Sequence, residues 1–362
     1  MPENAFFVTI PCMNKIKILF VDHTPFVGGA QLRLAEDIQW LDRNKFDPYL
    51  LIDSASQYEH LYARSNVKVL KIPFSRLNLL HPIAIPRLLR AIKAFSAIIA
   101  KIEPDVVLTN TTRALLIAAL ASKIHRSDFK LINYIRDYDY PKWIFQLIGD
   151  EVDKYLFVSE SVKNFYKLPG ETIYLGSALK PIKKKTSDKK FVIGYLGRLV
   201  DWKGAKELIE AFKKIQLKNT QLNIWGSGDK QSGTNEKQLK KIGSEQIKFA
   251  GFTNNPAEAF AQMSCYVLPS KKPEPFATTI IEAALAGIPI IATNIGGTAE
   301  FIKHEKNGLL VSAGDTNQLA AALLRLIHEP EFAVKMADQA KKDAQKYMQE
   351  KFITRFEKAV LT

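Results

Sequence analysis

The chain has 362 residues, too many for one ordinary hydrophobic core and enough for two. A composition 47% hydrophobic and 24% charged excludes a disordered or fibrous protein, and two cysteines, Cys12 and Cys265, exclude a disulfide framework and fit a reducing compartment. The net charge is +14, and residues 64–130 hold twelve Lys and Arg against three Asp and Glu, a surplus that attracts polyanions such as lipid headgroups, phosphorylated lipids or nucleic acid.

Near the amino terminus, the apolar stretch 5–10 lacks a basic leading region and is too short for a signal peptide or a membrane span. No apolar run elsewhere reaches spanning length. Short β-branched runs then alternate with amphipathic segments. Residues 17–21, 49–52, 67–70, 106–109, 131–134 and 155–158 are predicted strands, and 85–102 is the clearest predicted helix. That helix sets Arg87, Arg90, Lys93 and Lys101 among Leu88, Leu89, Ile92, Phe95, Ile98 and Ile99, the pattern of a helix covering a sheet or lying on an anionic membrane. Residues 177–190 break the alternation with Pro181 and six lysines and are predicted to be a solvated linker. Strands resume at 191–196, 222–225, 247–249, 265–268 and 288–291, and a charged helical tail follows from 331. The expected fold is α/β: two doubly wound, Rossmann-like domains (residues 1–180 and 191–345) facing a cleft, joined by a linker at 181–190. A terminal helix, 346–362, is expected to return to the first domain.

Three motifs carry chemistry. Gly28-Gly29-Ala30-Gln31 follows the first strand and opens a helix; it suits close approach to a phosphate or sugar, or is an ordinary βα turn. It is not the six-position dinucleotide fingerprint, which argues against a nicotinamide enzyme. Gly197-Arg198-Leu199 followed by Lys203-Gly204 puts two cations after the first strand of the second domain; Arg offers a planar fork and Lys a compact charge, both suited to a diphosphate. Glu274-Pro275-Phe276-Ala277-Thr278-Thr279-Ile280-Ile281-Glu282 sets one carboxylate in a loop and another within the next helix. The free N–H groups at that helix start, near Thr278 and Thr279, form an anion site between two hydroxyl-binding groups.

The two glutamates, the following Ala284-Leu285-Ala286-Gly287-Ile288-Pro289, Gly296-Gly297-Thr298-Ala299-Glu300 and Asn307-Gly308-Leu309-Leu310 together resemble the family-4 group of retaining GT-B glycosyltransferases, the glycosyl transferases group 1. The resemblance is dense over residues 191–314 and looser before them. It implies that Arg198 and Lys203 hold the donor diphosphate, that Glu282 binds the ribose and that Glu274 contacts the donor sugar. It further implies that the backbone of Phe276, Ala277, Thr278 and Thr279 meets diphosphate and sugar, that Gly28 and Gly29 approach the same phosphates, and that Gly251 and Phe252 border the base. No metal and no cofactor beyond the UDP- or GDP-sugar co-substrate is implied. Two positions depart from the family: Arg136-Asp137 stands where His-Asp is common, and Ala277 where glycine is usual. Arg136 cannot act as a base but suits phosphate or an acidic sugar, or a salt bridge to Asp137 or Asp139.

The expected activity is therefore transfer of a sugar from a nucleotide diphosphate donor to a glycan or lipid-linked acceptor, in the cytoplasm or at the inner membrane face through the basic region 64–130. A non-catalytic sugar-nucleotide-binding partner of another transferase is the alternative. A sugar-nucleotide epimerase would need acid and base groups the sequence does not assign. Nucleic-acid binding has no zinc finger, basic dimerising helix or aromatic RNA signature behind it.

Overall fold

The computed structural model describes residues 14–25, 29–74, 84–125, 128–180, 182, 190–228 and 236–362. In chain order the first sheet and its helices are β1 (Ile16–Asp22), α1 (Gly29–Trp40), β2 (Phe46–Asp53), β3 (Lys68–Ile72), α2 (Ala84–Ile102), β4 (Val106–Thr109), α3 (Thr112–His125), β5 (Lys130–Ile135), α4 (Lys142–Ile148), β6 (Lys154–Phe157), α5 (Glu160–Tyr166) and β7 (Glu171–Thr172). The strands order as β3-β2-β1-β4-β5-β6-β7, and β1 pairs in parallel with both β2 and β4. Strand–helix alternation produces this winding, since parallel neighbours need a crossover that a helix supplies. Ile18, Leu19, Phe20, Val107 and Leu108 are fully buried, as expected for central strands covered on both faces.

The second sheet contains β8 (Phe191–Leu196), α6 (Ala205–Ile215), β9 (Thr220–Trp225), α7 (Glu236–Lys241), β10 (Ile247–Gly251), α8 (Pro256–Ala261), β11 (Cys265–Leu268), α9 (Thr278–Leu285), β12 (Ile290–Thr293), α10 (Thr298–Phe301), β13 (Leu309–Val311) and α11 (Thr316–His328). Its order is β10-β9-β8-β11-β12-β13, again with parallel pairings. α12 (Pro330–Ala344) and α13 (Gln349–Leu361) complete the chain. Helix starts follow local chemistry. Asp315 accepts from the N–H groups of Asn317 and Gln318, both at 2.9 Å, and Asn255 caps α8, whose first residue is Pro256. Leu208, Ile209, Leu222, Ile224, Val267, Ile291 and Leu323 lie in the core of this unit.

Two compact units result: residues 1–134 with 140–155, and residues 135–139 with 156–362. Of the predicted linker, residues 181–190, only Ile182 and Lys190 are among the described residues. The chain on its amino-terminal side is held by the end of the molecule: Ser177 N donates to Tyr347 O at 2.9 Å and Gln349 N donates to Ser177 O at 3.0 Å. A side chain at Gly176 would bring its Cβ within 2.6 Å of Phe352 Cβ, so α13 lies directly against this segment.

Candidate donor-binding site

The second unit places its polar loops at the carboxyl ends of parallel strands, where ligands of such sheets bind. After β8, the chain passes Gly197 and the exposed Arg198, then makes a short 3-10 turn, Asp201–Lys203, ending at Gly204. Tyr195, fully buried in β8, donates its hydroxyl to Arg198 O at 2.7 Å and fixes the start of this loop. Gly204 has φ +75°, and a Cβ there would lie 1.9 Å from Pro269 O. The loop after β8 therefore touches the loop after β11 backbone to backbone, and only glycine permits it.

That contact brings together two residues 71 positions apart. Lys203 Nζ donates to both carboxylate oxygens of Glu274, at 2.6 and 2.8 Å, and Ser270 Oγ donates to Oε1 at 2.5 Å. Glu274 is 4% exposed, so this is a buried, hydrogen-bonded ion pair rather than a surface one. The Lys203 ammonium also sits over the Trp202 ring, 4.6 Å from its centroid. Beside it, Lys271 bridges Asp201 and Glu207, and Lys271 N donates to Trp202 O at 2.7 Å, tying both loops a second time.

The Glu274 loop is clamped from its other side by Gly296 and Gly297. Gly297 N donates to Glu274 O at 2.7 Å. A Cβ at Gly296, which has φ +62°, would lie 2.4 Å from that same oxygen, and one at Gly297 would lie 2.1 Å from Pro275 O. Next to this clamp the Glu300 carboxylate accepts from Glu160 N at 3.0 Å and Ser161 N at 2.6 Å, supplying negative charge to the start of α5. Tyr138 OH and Ser161 Oγ are 2.8 Å apart.

α9 follows the Glu274 loop and begins without a side-chain cap, which leaves its first N–H groups for an incoming acceptor. Tyr266 donates to Thr279 Oγ1 at 2.8 Å and holds that first turn; burial pushes its phenol well up, so it stays protonated. Ala277 has φ −85° and ψ 101°, ordinary extended backbone, so alanine carries no strain where the related family usually has glycine. Phe276 turns inward rather than to a ligand: its ring packs with Tyr174 (5.3 Å) and Tyr347 (5.7 Å), and Phe301 closes on Tyr347. Glu282 is half-buried one turn into α9. At the ends of β9 and β10, Gly226 N donates to Gly251 O at 2.7 Å, and a Cβ at Gly226 would lie 1.9 Å from Gly197 O. Phe252, just beyond, is 66% exposed, a free aromatic face at the strand end.

Lys203, Glu274, Phe252, Phe276 and Ala277 stand on loops of this one unit, Thr278, Thr279 and Glu282 on the first turns of α9, Gly251 at the end of β10, and Arg198 on the same loop as Lys203. Arg136 is buried at the end of β5, in the short stretch 135–139 that is compact with the second unit. Burial raises the neighbouring Asp137 carboxyl to about 6. Gly28 lies outside the described residues, and Gly29 opens α1 in the first unit. Sequence reasoning did not single out Ser270, Gly226 or the roles of Gly296, Gly297 and Glu300. A glycine pair and a serine at strand ends were visible, but their partners are distant in sequence.

In the first unit, burial and then the charge of Arg113 hold the His23 imidazole down to about 4 from an ordinary 6.5. The unfolded chain therefore takes up this proton before the folded one does, and stability is lost as pH falls below 6.5. The expected loss is about 2 kcal/mol between pH 7.5 and 5. Urea unfolding of the parent and of His23→Gln at both pH values checks this: the acid loss should shrink by that amount in the variant, and equal losses would refute it.

Residues 178–343 match the family described as glycosyl transferases group 1. An uncharacterized glycosyltransferase of Methanocaldococcus jannaschii is 32% identical over 159 residues, 43% of this chain and 40% of the relative. The capsular polysaccharide biosynthesis glycosyltransferase CapM of Staphylococcus aureus is 30% identical over 148 residues, 40% of this chain and 39% of the relative. The chain thus spans about two fifths of the length of these relatives. Over almost its whole length it superimposes on Anabaena HepE in complex with UDP and glucose, with TM-score 0.79, 22% identity, and coverage of 96% of this chain and 99% of that one. That likeness shows the fold, which is GT-B.

Proposed function

We propose, from the premise that residues 178–343 are a group 1 glycosyltransferase segment in a GT-B chain, that this protein moves a sugar from a UDP- or GDP-sugar to an acceptor hydroxyl with retention at the anomeric carbon. The observation that carries the reading is the buried Lys203–Glu274–Ser270 group set beside the uncapped start of α9. Breaking the bond from the anomeric carbon to the diphosphate leaves negative charge on the departing oxygen. Arg198, Lys203 and the α9 amides are the preorganised groups that meet it. Glu274 accepts hydrogen bonds from the sugar, Glu282 from the ribose, and Phe252 offers its face to the base. In this scheme protein cations, rather than a metal, stabilise the leaving group.

The proposed acceptor is a glycan or lipid-linked intermediate of surface polysaccharide or glycolipid assembly, reached from the cytoplasmic side. Two features support it. CapM acts in capsular polysaccharide biosynthesis. The first turns of α2 expose Ile85 and Leu89 beside Arg87, Arg90 and Lys93, the composition of a helix resting on an anionic membrane. Among the described residues no helix is long and apolar enough to cross a membrane.

A thermal-shift screen against UDP, GDP, ADP, CMP and their sugar conjugates tests the donor. A nucleotide at a hundred times its Kd should add about 2.7 kcal/mol of stability. The shift should belong to one base and vanish in Glu282→Ala. A panel in which no nucleotide stabilises the protein would sink the donor assignment. Stabilisation without release of free nucleotide would instead favour a non-catalytic binding partner.

A further inference from the structure

Helix α4 is more apolar than its one buried face needs. Of its seven residues, five are apolar: Trp143, Ile144, Phe145, Leu147 and Ile148. Ile144, Phe145 and Ile148 turn inward, and the Phe145 ring packs on Tyr140 at 5.8 Å and on Tyr155 at 5.7 Å. The helix is therefore anchored by its inner face. Trp143 and Leu147 are left over, one turn apart on the outer side and 46% and 57% exposed. α3 packs beside α4 and against the 3-10 turn Gly149–Glu151 that ends it. Lys123 of α3 lies 4.0 Å from Glu151, so the next residue, Ile124, stands at that same end of α4, and it is 58% exposed. Single exposed apolar side chains are ordinary. A tryptophan, a leucine and an isoleucine gathered on anchored helices have the composition of a contact surface.

The polar residues around them select the occupant. The exposed positions of α4 and its final turn run Lys142, Trp143, Gln146, Leu147 and Asp150. One end of the row is basic and the other acidic. Turned about a two-fold axis near Gln146, the row is its own complement. Trp143 then meets Leu147 of the second copy, Lys142 meets Asp150, and each contact is made twice. An anionic membrane fits less well. Asp150 and Glu151 set two carboxylates at the rim, where a helix resting on such a surface carries Lys and Arg.

We infer that the outer face of α4 is the contact of a symmetric dimer of this chain, centred on Trp143 and Leu147 and oriented by Lys142 and Asp150. The inference is independent of the transferase reading. Tryptophan suits the centre of such a contact because one ring covers a large area at little cost in side-chain freedom. The helix is short, so the area it buries falls below that of obligate dimers, and the dimer forms only as concentration rises.

Sedimentation velocity of the full chain tests it. The weight-average mass should rise from 40.8 kDa towards twice that value over roughly 1 to 300 μM. Trp143→Glu and Leu147→Lys should each hold the protein monomeric over that range, with a melting temperature close to the parent's. Lys142→Glu and Asp150→Lys should each weaken the dimer about tenfold, because either reversal turns two attractive pairs into two repulsive ones. Combining Lys142→Glu with Asp150→Lys restores both pairs with their signs exchanged, and should bring the affinity back to within about threefold of the parent. A parent that stays monomeric, a dimer that survives Trp143→Glu or Leu147→Lys, or a double reversal no tighter than the single ones would each overturn the interface. Flotation with vesicles of phosphatidylglycerol and phosphatidylcholine is run on the same proteins. Trp143→Glu should behave there as the parent does; loss of vesicle binding in that variant would make this face a membrane contact and overturn the dimer.

Discussion

Lys203→Met is expected to lower turnover by about a hundred- to a thousandfold, the range for removing one preorganised charge-stabilising group. It should also lower stability by about 3 kcal/mol or more, because it strands a buried carboxylate. The two effects have different origins and separate in a double-mutant cycle. Glu274→Gln alone leaves Lys203, half-buried at 16% side-chain exposure, without its counter-charge, so it too should destabilise. The double variant Lys203→Met with Glu274→Gln removes both charges while keeping much of the volume, and should recover most of the lost stability. Turnover should not recover. Denaturant unfolding and nucleotide release from the donor, measured on all four proteins, decide the matter. Recovery of turnover along with stability would mean that the pair only holds two loops together and does no chemistry.

Gly296→Ala should cost roughly 3 kcal/mol or more of stability and abolish nucleotide stabilisation. Its φ of +62° is unfavourable for any side chain by about 1–2 kcal/mol. The new Cβ would in addition sit 2.4 Å from Glu274 O, so the loop carrying the key carboxylate has to move. Gly251→Ala is the matched control. It has the same kind of backbone, φ +76°, but no atom within 4 Å of the added Cβ. It should lose only the conformational part, about 1 kcal/mol. Thermal or urea unfolding of the two variants isolates the close approach; equal losses would show that the clamp on the Glu274 loop has no energetic weight.

Much of the fold was legible because its central strands are short, continuous apolar runs. β4, β8 and β11 begin and end where the predicted runs do, since burial on both faces keeps charged residues out of them. Two of the four edge strands escaped: β7 has two residues and β13 three, too short for any periodicity to register. The predicted strand at 288–291 lies at Ile290–Thr293 instead, because Pro289 gives its carbonyl to Tyr266 N and has no N–H for the ladder. At the site, the residue types were readable one at a time. Cations after a strand, carboxylates around a helix start and glycines in turns each announce their chemistry locally. Their pairing does not. That Lys203 closes on Glu274, or that Gly296 and Gly297 lie against the backbone at 274–275, depends on which strand neighbours which. No window of local sequence contains that order. Phe276 shows the same limit: only its backbone was expected to meet a ligand, and the packing of its ring on Tyr174 and Tyr347 joins residues far apart in sequence.

That aromatic packing also bears on modularity. The family match covers residues 178–343, but the rings under Phe276 come from Tyr174 before that segment and Tyr347 after it. Glu300 likewise spends its carboxylate on Glu160 and Ser161, upstream of the match. The borders of inherited sequence and the borders of mechanical support are therefore different lines. A fragment cut, shuffled or grafted at 178 and 343 would carry Arg198, Lys203, Glu274 and Glu282 of the proposed donor site and leave its floor behind. The transplantable piece runs from about residue 156 to the end of α13, so recombination between relatives should succeed at the outer pair of boundaries and fail at the inner one.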